Sequence, residues 1–225
     1  ILELIKTLHH CNSLFEGKLI MIPILCDHKK HYSINQVSFI YVHDTEDDKV
    51  YIINFSHTDF EKSEFEWEDI EFSGEYFVYN AHILSKDFYD LELIYWLKYN
   101  HDLKIQYTSN INVYHRWYNN LENVNNIIPI TLFQEYCSDI VNVVLPDVYE
   151  FEISKPFIFY TKAISLLKDI EQNGLPVDQN ELLLKYKINA ERVYTYYKIF
   201  TTTGRPSNTF GGINFGALNK QDGSR

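Results

Sequence analysis

Cysteine is scarce in this chain. The three residues, Cys11, Cys26 and Cys137, are far apart and odd in number, which argues against a disulfide framework or a zinc site and for a reducing compartment. Long apolar runs are missing too. No stretch reaches the roughly 18 residues that a membrane span needs, and Leu19 to Cys26 has the length of a buried strand. Ile1 to Leu8 carries charges and lacks a cleavage pattern, so no secretory leader is expected there. Internal repeats and low-complexity segments are absent. So are a Walker-type loop, a G-x-S-x-G elbow and a Cys–His pair with supporting spacing. His9-His10, His28 with His31, and His57 with Asp59 form local clusters without a repeated metal-ligand spacing, and are expected at the surface.

What is present is ample core material for one good-sized domain, or one domain and part of another: 225 residues, 45% hydrophobic and 16% aromatic. The aromatics are mostly Tyr and Phe in no periodic motif, and read as core and surface residues. A net charge of −11 argues against a generally basic nucleic-acid binder. The charge is uneven, however. Residues 41 to 80 hold twelve acids against two lysines, whereas residues 187 to 225 hold six basic residues against two acids. The first block would repel DNA and the second would attract it.

Hydrophobic patterning predicts an α/β chain. Ile1 to Leu8 reads as the end of a helix, and Leu19 to Leu25 as a strand buried on both faces. Gln36 to His43 and Lys49 to Phe55 form a hairpin about the polar turn Asp44 to Asp48. An acidic helix or irregular connection follows over 57 to 75, then a fourth strand at Glu75 to Asn80. Lys86 to Tyr99 reads as an amphipathic helix. A short fifth strand is expected near 104 to 107, then helices over about 113–124 and 130–145, the second with Pro129 at its start. After Pro146 an extended piece leads to a long helix, Lys155 to Asn173, ended by Gly174.

The most distinctive stretch is Thr201-Thr202-Thr203-Gly204-Arg205-Pro206-Ser207-Asn208, continuing through Gly211-Gly212-Ile213-Asn214-Phe215 to Lys220 and Arg225. Hydroxyls, amides, a guanidinium and closely approaching glycine backbone suit a phosphate backbone. A disordered polar tail is the bland alternative. The order T-x-T-G-R-x-S, then an Asn beside an aromatic, resembles the opening motif of the polymerase domain in family A (polymerase I-like) DNA polymerases, in its phage-type form. Upstream, Glu171, Gly174 and Asp178 resemble the family's E-x-x-G-x-x-x-D element, where a helix turns into the thumb. Here Asp178 can N-cap a helix over Gln179 to Ile188. Only about 20 residues separate the two elements where larger members carry a long thumb, which implies a reduced thumb or a shortened chain. The order of strands and helices matches the ribonuclease H-like sheet of the family's 3′–5′ exonuclease domain. The resemblance thus implies an exonuclease-like domain over 1–150, with a mixed five-stranded sheet and flanking helices. A linker helix and the beginning of a truncated polymerase domain follow over 151–225.

Two-metal hydrolysis, with Mg²⁺ as the implied cofactor, needs several carboxylates converging on two cations roughly 4 Å apart. The family's D-x-E falls on Asp27-His28-Lys29, so only the first acid remains and Lys29 puts a cation where a ligand is required. Asp90 best matches the acid of the next helix. Tyr136-Cys137-Ser138-Asp139 is one residue short of Y-x-x-x-D, which turns Asp139 about 100° off the tyrosine face. The implied exonuclease constellation, Asp27, Asp90 and Asp139, is therefore damaged. Alternatively Asp27 merely ends a strand, Asp90 caps or solvates a helix, and Asp139 faces water.

The palm aspartates and fingers lysine of the family lie beyond the T-G-R motif, and the chain ends before any of them. With Ile at position 1 and a motif at the other end, a fragment is expected. What remains is contact with a primer–template duplex through Thr203, Arg205, Ser207, Asn208, Asn214 and Lys220. Tyr194, Tyr196 and Tyr197 are expected to pack the helix carrying the motif. The resemblance implies DNA replication in the cytoplasm of a bacterial or phage-infected cell, with a downstream polymerase segment or other replication proteins as partners. Two other functions stay open: an active exonuclease with a rearranged metal site, and a non-catalytic nuclease-fold interaction module.

Overall fold

A computed structural model of the chain describes residues 2–26, 30–84, 86–103, 129–176, 178, 180 and 191–208. Six strands form one mixed sheet: β1 (Leu2–Ile5), β2 (Lys18–Leu25), β3 (Val37–Asp44), β4 (Lys49–Asn54), β5 (Glu75–Val78) and β6 (Tyr89–Asp90). Their order is β1-β4-β3-β2-β5-β6. β2, β3 and β4 pair antiparallel, whereas β1 on β4, β5 on β2 and β6 on β5 are parallel. The expected hairpin is present. Its turn is held by Asp44 Oδ1, which accepts from the backbone N–H of Glu46 at 2.9 Å and of Asp47 at 3.3 Å.

β2 is apolar without alternation because both faces are covered. Ile20, Ile22 and Ile24 join Phe39, Tyr41, Ile52 and Phe77 beneath three helices: α2 (Leu91–Tyr99), α3 (Ile130–Tyr149) and α4 (Lys155–Asn173). Leu19 and Met21 face the other way, with Ile40, Val42 and Ile53. They meet Cys11, Leu14 and Phe15 of α1 (Leu8–Leu14) and its cap, and Phe65 and Ile70 from the acidic connection. That connection is irregular apart from one short 3₁₀ turn, Trp67–Asp69. The three cysteines are buried and unbridged.

Several boundaries differ from the sequence reading. The N-terminal residues form β1 rather than a helix end, because they pair in parallel with Val50 to Ile53. The helix begins only after Thr7, whose hydroxyl accepts from the His10 N–H. The main sheet, expected with five strands, has six among the described residues through β1 and β6, while the strand expected near 104–107 lies outside the described residues, as does the helix expected over 113–124. α2 starts late because Tyr89 and Asp90 first pair with β5. α3 runs through Pro146, and the Glu150 N–H still reaches the Pro146 carbonyl at 3.2 Å. Its free N-terminus is capped from afar, by Asp59 Oδ2 accepting from the Ile130 N–H at 2.7 Å. α4 has the expected limits, and Gly174 ends it at φ +63°. A Cβ there would lie 2.9 Å from the Tyr194 ring, so only glycine suits both backbone and neighbour. Among the described residues no helix is long and apolar enough to cross a membrane.

Phe133 is fully buried on α3 against Phe39 of the sheet, ring centroids 5.2 Å apart. Phe133→Ala is expected to lower the unfolding free energy by about 3–5 kcal/mol in a urea titration.

Candidate functional site

The first turn of α2 carries two acids, Asp90 and Glu92, at the end of the sheet where β5 and β6 finish. Asp90 is the N-cap. Its Oδ1 accepts from the backbone N–H of Glu92 at 2.9 Å and of Leu93 at 3.2 Å. Burial pushes the Asp90 carboxyl up to about 6, against the pull of those two hydrogen bonds and the Lys168 ammonium. Glu92 is pushed up to about 8, first by burial and then by the Asp90 charge, with Lys198 opposing. Burial and mutual repulsion thus favour the pair retaining a proton above the usual carboxylate range. Tyr79, hydrogen-bonded to Tyr136 of α3, borders the pair and is raised by burial and by the Tyr136 and Glu92 charges.

The chain beyond α4 returns across this end of the sheet. β7 (Leu175–Pro176) pairs antiparallel with β8 (Arg192–Val193), and β9 (Tyr197–Lys198) with β10 (Ser207–Asn208). Arg192 Nη1 donates to the carbonyls of Asn173 and Gly174 at 2.6 and 3.0 Å, which places a cation at the negative end of α4. His31 Nε2 lies 2.7 Å from the Thr195 carbonyl oxygen. A carbonyl only accepts, so Nε2 carries the hydrogen, and Nδ1 accepts from the Ser33 hydroxyl at 2.7 Å. Glu171 of α4 is 3% exposed and takes two donors, the Tyr32 hydroxyl at 2.7 Å and the Tyr197 N–H at 2.6 Å. Tyr196 stacks on His82, centroids 4.4 Å apart, and Lys198 Nζ pairs with Asp102 Oδ2 at 2.7 Å. The result is a strap, residues 192 to 200, tied to the end of α4, to His31 and to Asp102.

β9 and β10 make a hairpin whose loop is the Thr-Gly-Arg motif. Gly204 takes φ +67°, and its N–H donates to the Thr201 carbonyl at 3.0 Å. The Thr201 hydroxyl donates to the Arg205 carbonyl at 3.1 Å, and the Trp96 indole N–H holds the Thr201 carbonyl from α2 at 3.3 Å. Thr203, Arg205 and Ser207 are exposed. Thr203 Oγ1 accepts from the Arg205 N–H, which leaves its own hydrogen to donate.

The structure thus brings some predicted residues together and separates others. Asp90 acts as a helix cap, the plainer of its two readings, and it gains a partner, Glu92, that the motif comparison did not select. The spacing Asp90-Leu91-Glu92 was the available signal. Asp139 is partly buried on α3, and the strongest charges on the pair come from Lys168, Lys198 and Asp102 instead. Among the described residues no group of three or more His, Cys, Asp or Glu is arranged to hold a metal ion. Two acids flanked by lysines do not fit a two-Mg²⁺ centre. Asp27, Asn214 and Lys220 lie outside the described residues. Asn208 is half-buried with its Oδ1 unpartnered among the described residues, so it points inward from the hairpin. Tyr194 and Tyr196 pack on His31 and His82, and residues 181–190, most of the helix expected over Gln179 to Ile188, lie outside the described residues. The histidines expected at the surface divide. His9 and His10 are exposed, His31 and His57 are buried at 2% and 1%, and His28 lies outside the described residues. No protein-family model matches the chain, and no curated protein sequence matches it.

Two outcomes follow from the buried carboxyls. An unfolded Glu92 loses its proton near 4.5 and the folded one near 8, so its stabilising contribution is complete below 4.5 and is lost as pH rises towards 8. Thermal unfolding across that window is expected to show a shallower decline for Glu92→Gln than for the parent chain. An equal slope would assign the decline to other groups. Glu171→Ala leaves the Tyr32 hydroxyl and the Tyr197 N–H without their acceptor. Hydrogen exchange at residue 197 is expected to accelerate at least tenfold, about 1.4 kcal/mol of lost protection, while exchange in β2 and β3 stays slow.

Proposed function

We propose that this chain is the N-terminal part of a phage-type family A DNA polymerase, an exonuclease-like domain followed by the start of the polymerase domain, positioning a primer–template duplex without hydrolysing it. The observation that carries the reading is the β9–β10 hairpin. It holds the T-x-T-G-R-P-S-N motif as a loop with Thr203 and Arg205 exposed, while the Ser207 hydroxyl donates across the hairpin to the Lys198 carbonyl at 3.5 Å. A guanidinium beside an exposed hydroxyl on a hairpin turn suits phosphate oxygens, and such contacts set register without reading sequence. The sheet order is consistent with a ribonuclease H-like topology, the finer form of the α/β fold described above. In that reading the Asp90–Glu92 pair marks the end of the sheet where an exonuclease would work.

A specific feature favours positioning over hydrolysis. The Lys198 ammonium acts on Glu92, and Tyr196 is buried beside both acids, so a cation of the chain itself already neutralises part of the charge that a metal ion would need. The proposed setting is the cytoplasm of a bacterial or phage-infected cell, with a polymerase palm and fingers segment as the partner that performs nucleotidyl transfer.

The test is a primer–template titration at two salt concentrations with Mg²⁺ present and the 3′ end labelled. Salt-dependent binding with an intact label is expected. Arg205→Ala should weaken binding similarly on unrelated sequences and reduce the slope of log K against log salt by about 1. Unchanged affinity in that variant would remove the hairpin from the DNA interface. Progressive loss of label, abolished by Asp27→Ala, would establish an active exonuclease instead.

A further inference from the structure

α4 is buried along one side only. Phe157 and Glu171 face inward, at 5% and 3% exposure. Of the eight large hydrophobic residues exposed among the described residues, five lie on α4 or just before it: Ile153, Ile158, Phe159, Leu166 and Ile170. Phe159 and Leu166 are seven residues apart and Ile170 four further on, so the three share one stripe about 17 Å long. Phe159 and Leu166 are 66% and 68% exposed. Water-facing side chains of this size, in line on a rigid helix, mark a surface that is covered in use.

The charges beside the stripe say what covers it. Lys155 and Lys162 are exposed in the first half of the helix, and Asp169 in the second. Lys168 is turned away, its Nζ donating to the Leu84 carbonyl, and Glu171 is buried. Lys162 and Asp169 stand four residues before and three after Leu166, so both flank it on its own face. Neither has an opposite charge three or four residues away along the helix to pair with: Lys162 has Ile158, Phe159, Ser165 and Leu166, and Asp169 has Ser165, Leu166, Gln172 and Asn173. No acid lies in the first turn and no basic residue in the last. Cations at the start and an anion towards the end oppose the helix dipole, which favours the reverse.

A partner of a single sign would be repelled at one of these positions, an anionic duplex by Asp169 and a basic peptide by Lys162. A second copy in parallel would set lysine against lysine. A second copy lying antiparallel answers both faults. It sets Lys162 of each helix against Asp169 of the other, and the two dipoles oppose. Lys162 and Asp169 are equidistant from the point between Ser165 and Leu166, so a two-fold axis there pairs each with the other across the interface, twice. The same axis brings Leu166 of one copy beside that of its partner.

We infer that α4 is a self-association surface, through which two copies of the chain pair antiparallel about a two-fold axis near Leu166. Two-fold pairing makes the patch its own complement and closes the assembly at two. One helix pair buries less than a standard stable interface, so the dimer is a concentration-dependent one. The pairing does not rest on the DNA-binding reading.

Sedimentation velocity over a range of concentrations tests it, with circular dichroism to check folding. The parent chain is expected to pass from monomer to dimer as concentration rises. Leu166→Asp, at an exposed position, should stay monomeric with an unchanged spectrum. Lys162→Asp and Asp169→Lys should each weaken association at least tenfold, because each sets like charges face to face, and the double exchange should restore it. A monomer at every concentration overturns the inference. So does a dimer that survives Leu166→Asp, a double exchange that fails to restore association, or growth beyond two copies.

Discussion

A single buried carboxylate holds distant parts of this chain together. Glu171 stands at the close of α4 with almost no exposure, and it accepts from the Tyr32 hydroxyl and from the Tyr197 backbone. Tyr32 belongs to the loop that leaves the central strand β2, and Tyr197 opens the hairpin bearing the Thr-Gly-Arg motif. Burial raises this carboxyl, while the two donors and Lys168 oppose the rise. Such a group is stabilising only while every partner is in place, since an unpaired carboxylate at this depth costs several kcal/mol. Glu171 shares the seating of the strap and the hairpin with Arg192 at the end of the same helix, His31 on the Thr195 carbonyl and Trp96 on the Thr201 carbonyl.

What could be read from the sequence was what local physics decides. The apolar run of β2 announced a strand covered on both faces. The polar turn at Asp44 announced the hairpin, and Gly174 announced the end of a helix whose limits matched. The failures were of another kind. Leu2 to Ile5 carries apolar residues at helical spacing, yet parallel pairing with β4 outweighed it, and that partner lies far along the chain. His31 and His57 looked like surface residues because their neighbours are polar. One is held by the Thr195 carbonyl and a stacked tyrosine, and the other is locked into the turn that Asn54 ties to its backbone.

The candidate site was legible to a similar depth. Asp90 could be picked from its place ahead of a helix, and Glu92 followed two residues on, in the same turn. Lys198 and Lys168 could not have been found, because nothing local links them to α2. They arrive there only when α4 lies across the sheet and the strap returns over it. The same convergence buries the acids, and that burial raises them against the pull of both lysines.

The parallel pairing of β1 on β4 carries a further meaning. β4 is apolar from Val50 to Ile53, and without β1 its backbone N–H and C=O groups on that side would stand open at the sheet edge. An open, flat, apolar edge is a template for another strand. β1 is therefore a guard for the edge as well as part of the core, and since it precedes β4 in the chain it must wait for that strand before it can serve. A chain lacking those few residues would keep nearly all of its core and still be prone to polymerise through its sheet.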